Sequence, residues 1–153
     1  MIKELRTYER SFCDCTGCRQ SCRDRPGALA PCDMDHIAEY DGQEECSEEY
    51  LLAHFEACAD GPVASYEEAP EVHTLAIRPK RKADGSCVFL TSEGRCSIHP
   101  VAPFECKVTR SCEPSDGAGA LKALAKVNSK SADYIQLHMW LWNKQKEKED
   151  HVS

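Results

Sequence analysis

The sequence predicts an α+β fold: a small, irregular domain of short helices and one β-hairpin, followed by a C-terminal helical segment. Three observations carry that expectation. Eleven of the 153 residues are cysteine, most of them in polar stretches punctuated by Gly and Pro. The run Cys87-Val-Phe-Leu-Thr91, then Ser92-Glu93-Gly94, then Arg95-Cys-Ser-Ile98 reads as two short strands about a Gly-containing turn. From about Gly119 the composition shifts to Ala, Leu and Lys, which favour helix. On size the chain is one domain, or one domain with an appendage. The cysteine-bearing part spans residues 1–116, and the helical segment expected to pack on it spans residues 117–150.

Residues 1–12 read as a short amphipathic lead-in, with Ile2, Leu5 and Tyr8 at helical spacing. Residues 13–32 are irregular, because Gly17, Pro26, Gly27 and Pro31 interrupt any regular element. A short helix is expected from Asp33 to Tyr40, ending near Gly42. The next begins at Ser47, a good N-cap, with Glu48 and Glu49 well placed in the first turn. It carries Leu51, Phe55 and Cys58 on one face and stops at Gly61-Pro62. Residues 63–70 read as a loop, and Val72 to Arg78 as a strand on β-branched content and the alternation of Leu75 and Ile77.

After the hairpin, His99-Pro100 closes the second strand, and residues 100–117, with three prolines and two cysteines, read as another irregular loop. The C-terminal stretch is one long helix or two broken near Asn128-Ser129. Tyr134, Leu137, His138 and Leu141 form one stripe, and Ile135, Met139 and Trp142 another. Together they make a wide apolar face for packing on the cysteine-bearing half. The closing KQKEKED is a solvated helix end.

Composition excludes several classes of function. Hydrophobic residues make up 41% and charged residues 29%, enough to bury a core and unlike a disordered chain. The net charge of −7 comes from 26 acids against 19 Lys and Arg, which argues against a nonspecific nucleic-acid binder. No Lys or Arg lies between Arg25 and Arg78, whereas thirteen acids do. The local exception, Arg78, Lys80, Arg81 and Lys82, reads as a solvated strand end. No apolar run nears the roughly eighteen residues needed to span a bilayer, and MIKELRTYERSF lacks the apolar stretch of an export signal. A cytoplasmic protein with no membrane partner is expected.

Spacing turns the cysteine count into a site. Disulfide scaffolds suit shorter, exported chains, whereas this chain is longer, shows no export signal and has an odd number of cysteines. Cys15 and Cys18 form a C-x2-C pair with Cys22 beyond and Cys13 before, a loop in which two sulfurs converge on one metal. Cys87 and Cys96 sit on the two arms of the hairpin, followed by Cys106 and Cys112 in the Pro-rich loop. Two distant groups converging on metal would tie an irregular fold together, so the domain is expected to be metal-stabilised.

These residues resemble the YkgJ-type CxxCxxCC family of cysteine-cluster domains, associated with zinc or iron chelation. The resemblance rests on C-x2-C-x2-S-C at 15–22, C-V-F-L at 87–90, G-R-C-S-I-H at 94–99 and P-x2-C-K at 103–107. The segment Leu29 to Tyr40 is similar to the family's short helix after the first motif. Carried over by position, it implies Cys15, Cys18, Cys22, Cys87, Cys96 and Cys106 as ligands, with Cys112 where a further family cysteine falls. Three departures matter. Ser21 stands where the family has a thiolate, His99 where it has tyrosine, and Ala102 where it has arginine before Pro103. Cys13, Cys32 and His99 are the candidates to complete the site. Cys46 and Cys58 match nothing in the pattern: Cys58 reads as core and Cys46 as a free thiol.

Six or seven thiolates exceed the four of one structural zinc, so either two metals or one iron–sulfur cluster is implied. The order C-x2-C-x3-C is the reverse of the C-x3-C-x2-C associated with radical chemistry on S-adenosylmethionine. His36, His54, His73 and His138 read as ordinary helix or strand residues without a cysteine at ligand spacing. No nucleophile–base arrangement or phosphate loop appears. The favoured reading is a metal-binding protein whose zinc or iron–sulfur centre is structural or electron-transferring and acts with a protein partner. The alternative is an iron–sulfur-dependent group-transfer enzyme or enzyme subunit, since flagellin lysine-N-methylases carry a similar cysteine cluster.

Overall fold

A computed structural model of the chain describes residues 5, 6, 8, 26–66, 69–108 and 117–152. Pro26 to Ala30 forms an extended strap that leads into α1, Asp33–Tyr40. This helix buries Met34, Ile37 and Ala38, the i, i+3, i+4 stripe of one face, and ends where Gly42 takes a positive φ of 84°. In α2, Glu48–His54, the Ser47 hydroxyl accepts a hydrogen bond from the Tyr50 amide at 3.1 Å. Both helices start where the sequence places them. The second stops four residues short of Cys58, because Phe55 turns extended and opens a strand.

That strand, β1 (Phe55–Cys58), pairs antiparallel with β4 (Ala76–Pro79), Phe55 opposite Pro79 and Cys58 opposite Ala76. Between them β2 (Val63–Tyr66) and β3 (Ala69–His73) form a second antiparallel pair, with an irregularity between Ala64 and Tyr66. The regular hairpin therefore lies in the segment read as a loop, and the strand expected over 72–78 is split between two sheets. The expected hairpin over 87–98 survives as one isolated bridge, Leu90 to Cys96, and a second bridge, Arg81 to Cys87, closes the turn before it. A 3₁₀ turn, His99–Val101, and α3, Phe104–Val108, occupy part of the Pro-rich segment. The C-terminal stretch is two helices, α4 (Gly117–Lys130) and α5 (Ala132–Val152). The break is at Ser131, whose hydroxyl accepts from the Tyr134 amide at 3.3 Å. The described elements make an α+β domain of short helices, two-stranded antiparallel sheets and a C-terminal helical pair.

Two hydrophobic clusters hold these elements. Leu29, Met34, Ile37, Phe55, Ile77, Phe89, Ile98, Tyr134 and Leu141 belong to the first, and Leu5, Ala28, Ala30, Ala76, Phe104, Val108, Ala120 and Leu124 make the second. The strap and β4 divide them by strand alternation: Leu29 and Ile77 face one cluster, their neighbours Ala28, Ala30 and Ala76 the other. Helix α5 pins the outer edge of β1. The Gln145 side-chain amide bonds both the N–H and the C=O of Ala57, at 2.7 and 3.2 Å, and His138 Nε2 lies 2.9 Å from the Cys58 carbonyl. Gln145 thus belongs to the fold rather than to a solvated tail. Among the described residues, no helix is long and apolar enough to cross a membrane.

Candidate metal centre

Cys87 and Cys96 occupy equivalent places in two successive nine-residue turns, 82–90 and 91–99, and each backbone hydrogen bond of the first recurs nine residues later. Lys82 N–H bonds Ser86 C=O and Thr91 N–H bonds Arg95 C=O, at 2.7 and 2.8 Å. Gly85 N–H closes on Lys82 and Gly94 N–H on Thr91, both at 2.9 Å, with φ of 89° and 81°, a conformation that favours glycine. Val88 then bonds Lys80, and Ser97 bonds Phe89. Finally Leu90 N–H reaches back to the Cys87 carbonyl at 3.0 Å, and His99 N–H to the Cys96 carbonyl at 3.3 Å. The matching letters are D-G-S-C-V-F-L and E-G-R-C-S-I-H. In each unit the glycine permits the turn, the cysteine opens the next, and the apolar residue two places on, Phe89 or Ile98, is buried in the first cluster. Cys87 is buried there too, and Cys96 packs against it.

Cys106 lies on α3 against the strap. A Cβ on Gly27 would stand 2.6 Å from Cys106 Sγ and 2.9 Å from its amide nitrogen, so only glycine allows this approach. Two bonds lock it: Ala28 N–H donates to the Glu105 carboxylate at 2.7 Å, and Glu105 N–H to the Ala28 carbonyl at 3.2 Å. Asp33 adds a third tie. Its Oδ2 accepts from Ala30 N–H at 2.8 Å and from Phe104 N–H at 2.9 Å, capping the first turn of α3 from another helix. Tyr134 completes the support, donating its hydroxyl to the Leu29 carbonyl at 3.0 Å and accepting from Ile77 N–H at 2.8 Å. Burial pushes this hydroxyl's pKa up, which keeps the donating proton in place.

The basic run is drawn into the same framework instead of being solvated as a whole. The buried Arg78 guanidinium donates to Asp60 Oδ1 at 3.1 Å and to Cys58 Sγ at 3.0 Å, and lies 3.7 Å from Glu105. Lys80 Nζ bonds the Leu52 carbonyl, Arg81 pairs with Glu56, and Lys82 Nζ reaches the Leu90 carbonyl. Lys107, the residue after Cys106, is also buried.

A family model described as "CxxCxxCC: Putative zinc- or iron-chelating domain" matches residues 14–138. The chain belongs to that family. No curated protein and no solved structure matches it.

Of the cysteines assigned to the CxxCxxCC site, Cys15, Cys18, Cys22 and Cys112 lie outside the described residues, as does Cys13. Cys87, Cys96 and Cys106 are placed as above. Cys58 sits on strand β1 rather than a helix, half-buried against the second cluster. It donates to the Ala76 carbonyl at 3.4 Å, and burial pushes its thiol pKa up against the opposing pull of Arg78. Cys46 packs against the first cluster, and burial together with the Asp35 charge pushes its pKa up to about 11. Ala102, in place of the family arginine, is buried. His36, which the sequence offers as an ordinary helix residue, lies near Cys32 and Asp33 with the ligand atoms of all three within 4.8 Å of one another. The signal was present: Cys32 and His36 are four residues apart, neighbours on a helix surface.

Proposed function

We propose that the chain binds zinc or an iron–sulfur cluster through thiolates that join the N-terminal cysteine loop to the tandem turns and the Pro-rich segment. The ligand set is Cys15, Cys18, Cys22, Cys87, Cys96, Cys106 and Cys112. The close approach of Gly27 to Cys106 carries this reading: the strap that leaves the first motif, five residues after Cys22, runs against the third of the later cysteines. Donor chemistry fits, since soft thiolates select zinc and iron–sulfur clusters. A thiolate-rich centre is net negative, and the buried Arg78 guanidinium supplies positive charge beside α3, the helix that carries Cys106.

The centre acts as a structural tie or as an electron carrier beside a protein partner, in the reducing cytosol where thiolates persist. The protein's own residues set the loop paths, exclude water from Cys87, and hold Cys106 against the strap. Anaerobic purification followed by metal and sulfide analysis and a visible spectrum tests the reading. Iron with inorganic sulfide and colour identifies a cluster, stoichiometric colourless zinc identifies a structural site, and metal-free protein refutes both. Cys15→Ser and Cys96→Ser should each lose the same metal, because each removes a ligand from one shared centre.

A further inference from the structure

We propose that Cys32, Asp33 and His36 form a second, separate metal site on the first turn of α1. It takes one divalent ion of the zinc type through a thiolate, a carboxylate oxygen and an imidazole nitrogen, with water at the fourth position. The three ligand atoms already lie within 4.8 Å of one another. Bonds of about 2.0–2.3 Å at tetrahedral angles hold ligand atoms roughly 3.5 Å apart, so closure requires shifts of about an ångström. The burial pattern assigns those shifts. Asp33 is buried and Cys32 half-buried, whereas His36 is exposed, so the adjustment falls chiefly to the His36 ring.

Asp33 is preorganised by the two amides that its Oδ2 accepts, from Ala30 and Phe104. A carboxylate offers about four acceptor positions, and hydrogen-bonded carboxylates are the rule around metals. The spacing contributes as well: residues i and i+4 of a helix stand one above the other, which lets Cys32 and His36 close on one ion. Electrostatics favour the cation. The helix N-terminus presents about half a positive charge, but the Asp33 carboxylate and the Cys32 thiolate bring two negative charges, and Asp35 adds a third in the same turn. A mixed sulfur, nitrogen and oxygen set with one open position suits zinc.

The test uses the full chain, dialysed against micromolar zinc or cobalt(II), with metal stoichiometry, the visible cobalt spectrum and circular dichroism as readouts. Cys32→Ser and His36→Gln should each lose one ion per chain, lose the corresponding cobalt absorption and keep the wild-type fold. Both should retain the metal that Cys96→Ser loses, and Cys96→Ser should retain the ion at Cys32. Asp33→Asn keeps an acceptor for the two amides and should weaken the site at least tenfold. Full stoichiometry in Cys32→Ser or in His36→Gln overturns the site. So does loss, in Cys32→Ser, of the same metal that Cys96→Ser loses, since the cysteine then belongs to the shared thiolate centre. Retention of all metal in Cys96→Ser would instead count against the shared centre and leave this site standing.

Discussion

The two hydrophobic clusters are built from different materials. Ile37, Phe55, Ile77, Phe89 and Leu141 fill the first with large side chains, whereas Ala28, Ala30, Ala76 and Ala120 line much of the second around Leu5, Phe104 and Leu124. Small side chains let backbones come close, and there the strap and α3 are tied by Asp33 and Glu105. Apolar volume gives stability without direction, while hydrogen bonds between close backbones give position. The half that must hold Cys106 at a fixed place is the half that relies on direction.

Substitutions can break or sharpen this contrast. Phe55→Ala empties volume from the first cluster and should cost about 3–5 kcal/mol in urea denaturation. Asp33→Ala strands the amides of Ala30 and Phe104 at about 1–3 kcal/mol each. A total loss below about 1 kcal/mol would mean that directional ties do not hold the second region. Tyr134→Phe keeps the ring and removes one hydroxyl that serves two partners. Its cost should be about 1–3 kcal/mol, with faster amide exchange at Ile77. Gln145→Ala frees the Ala57 edge of β1 for about 1 kcal/mol, since solvent can reach part of it, and a loss as large as that of Asp33→Ala would erase the distinction.

Cys46 offers the mildest test, by pH. Its pKa of about 11 means that the folded chain favours the neutral thiol, chiefly through burial and then through the Asp35 charge. That contribution to stability is complete below the ordinary thiol pKa of about 8.5 and is lost as the pH rises through the folded value. Alkylation of Cys46 should therefore stay slow at pH 8.5 and accelerate only toward pH 11. A rate at pH 8.5 equal to that of a small-molecule thiol would show that the first cluster does not shield it.

How much was legible in advance depended on whether the deciding interaction was local. Ser47 caps α2 with its own side chain, and Gly42 ends the segment that α1 occupies, so both helices start where the sequence puts them. Phe55 to Cys58 was read as helix because Leu51, Phe55 and Cys58 keep helical spacing, yet pairing with β4 and the Gln145 clamp hold that stretch extended. The basic run looked solvated because its acceptors, Asp60, Glu56 and the Leu52 carbonyl, lie 18 to 28 residues away. At the site, the cysteine spacing and its family motifs were visible in one dimension. The clasp of Gly27 on Cys106 was not, since nothing local says what a glycine makes room for.

By itself the sequence determined the class of chemistry, the α+β character, the caps of the short helices and the cysteine positions, because these follow from residue type and near-neighbour spacing. Only the tertiary structure decided that Asp33 caps a helix 71 residues away, that the Tyr134 hydroxyl joins Leu29 to Ile77, and that Gly27 makes room for Cys106. Those features depend on which backbones approach closely enough to exchange hydrogen bonds. That approach is set by the packing of the whole chain, and no window of sequence contains it.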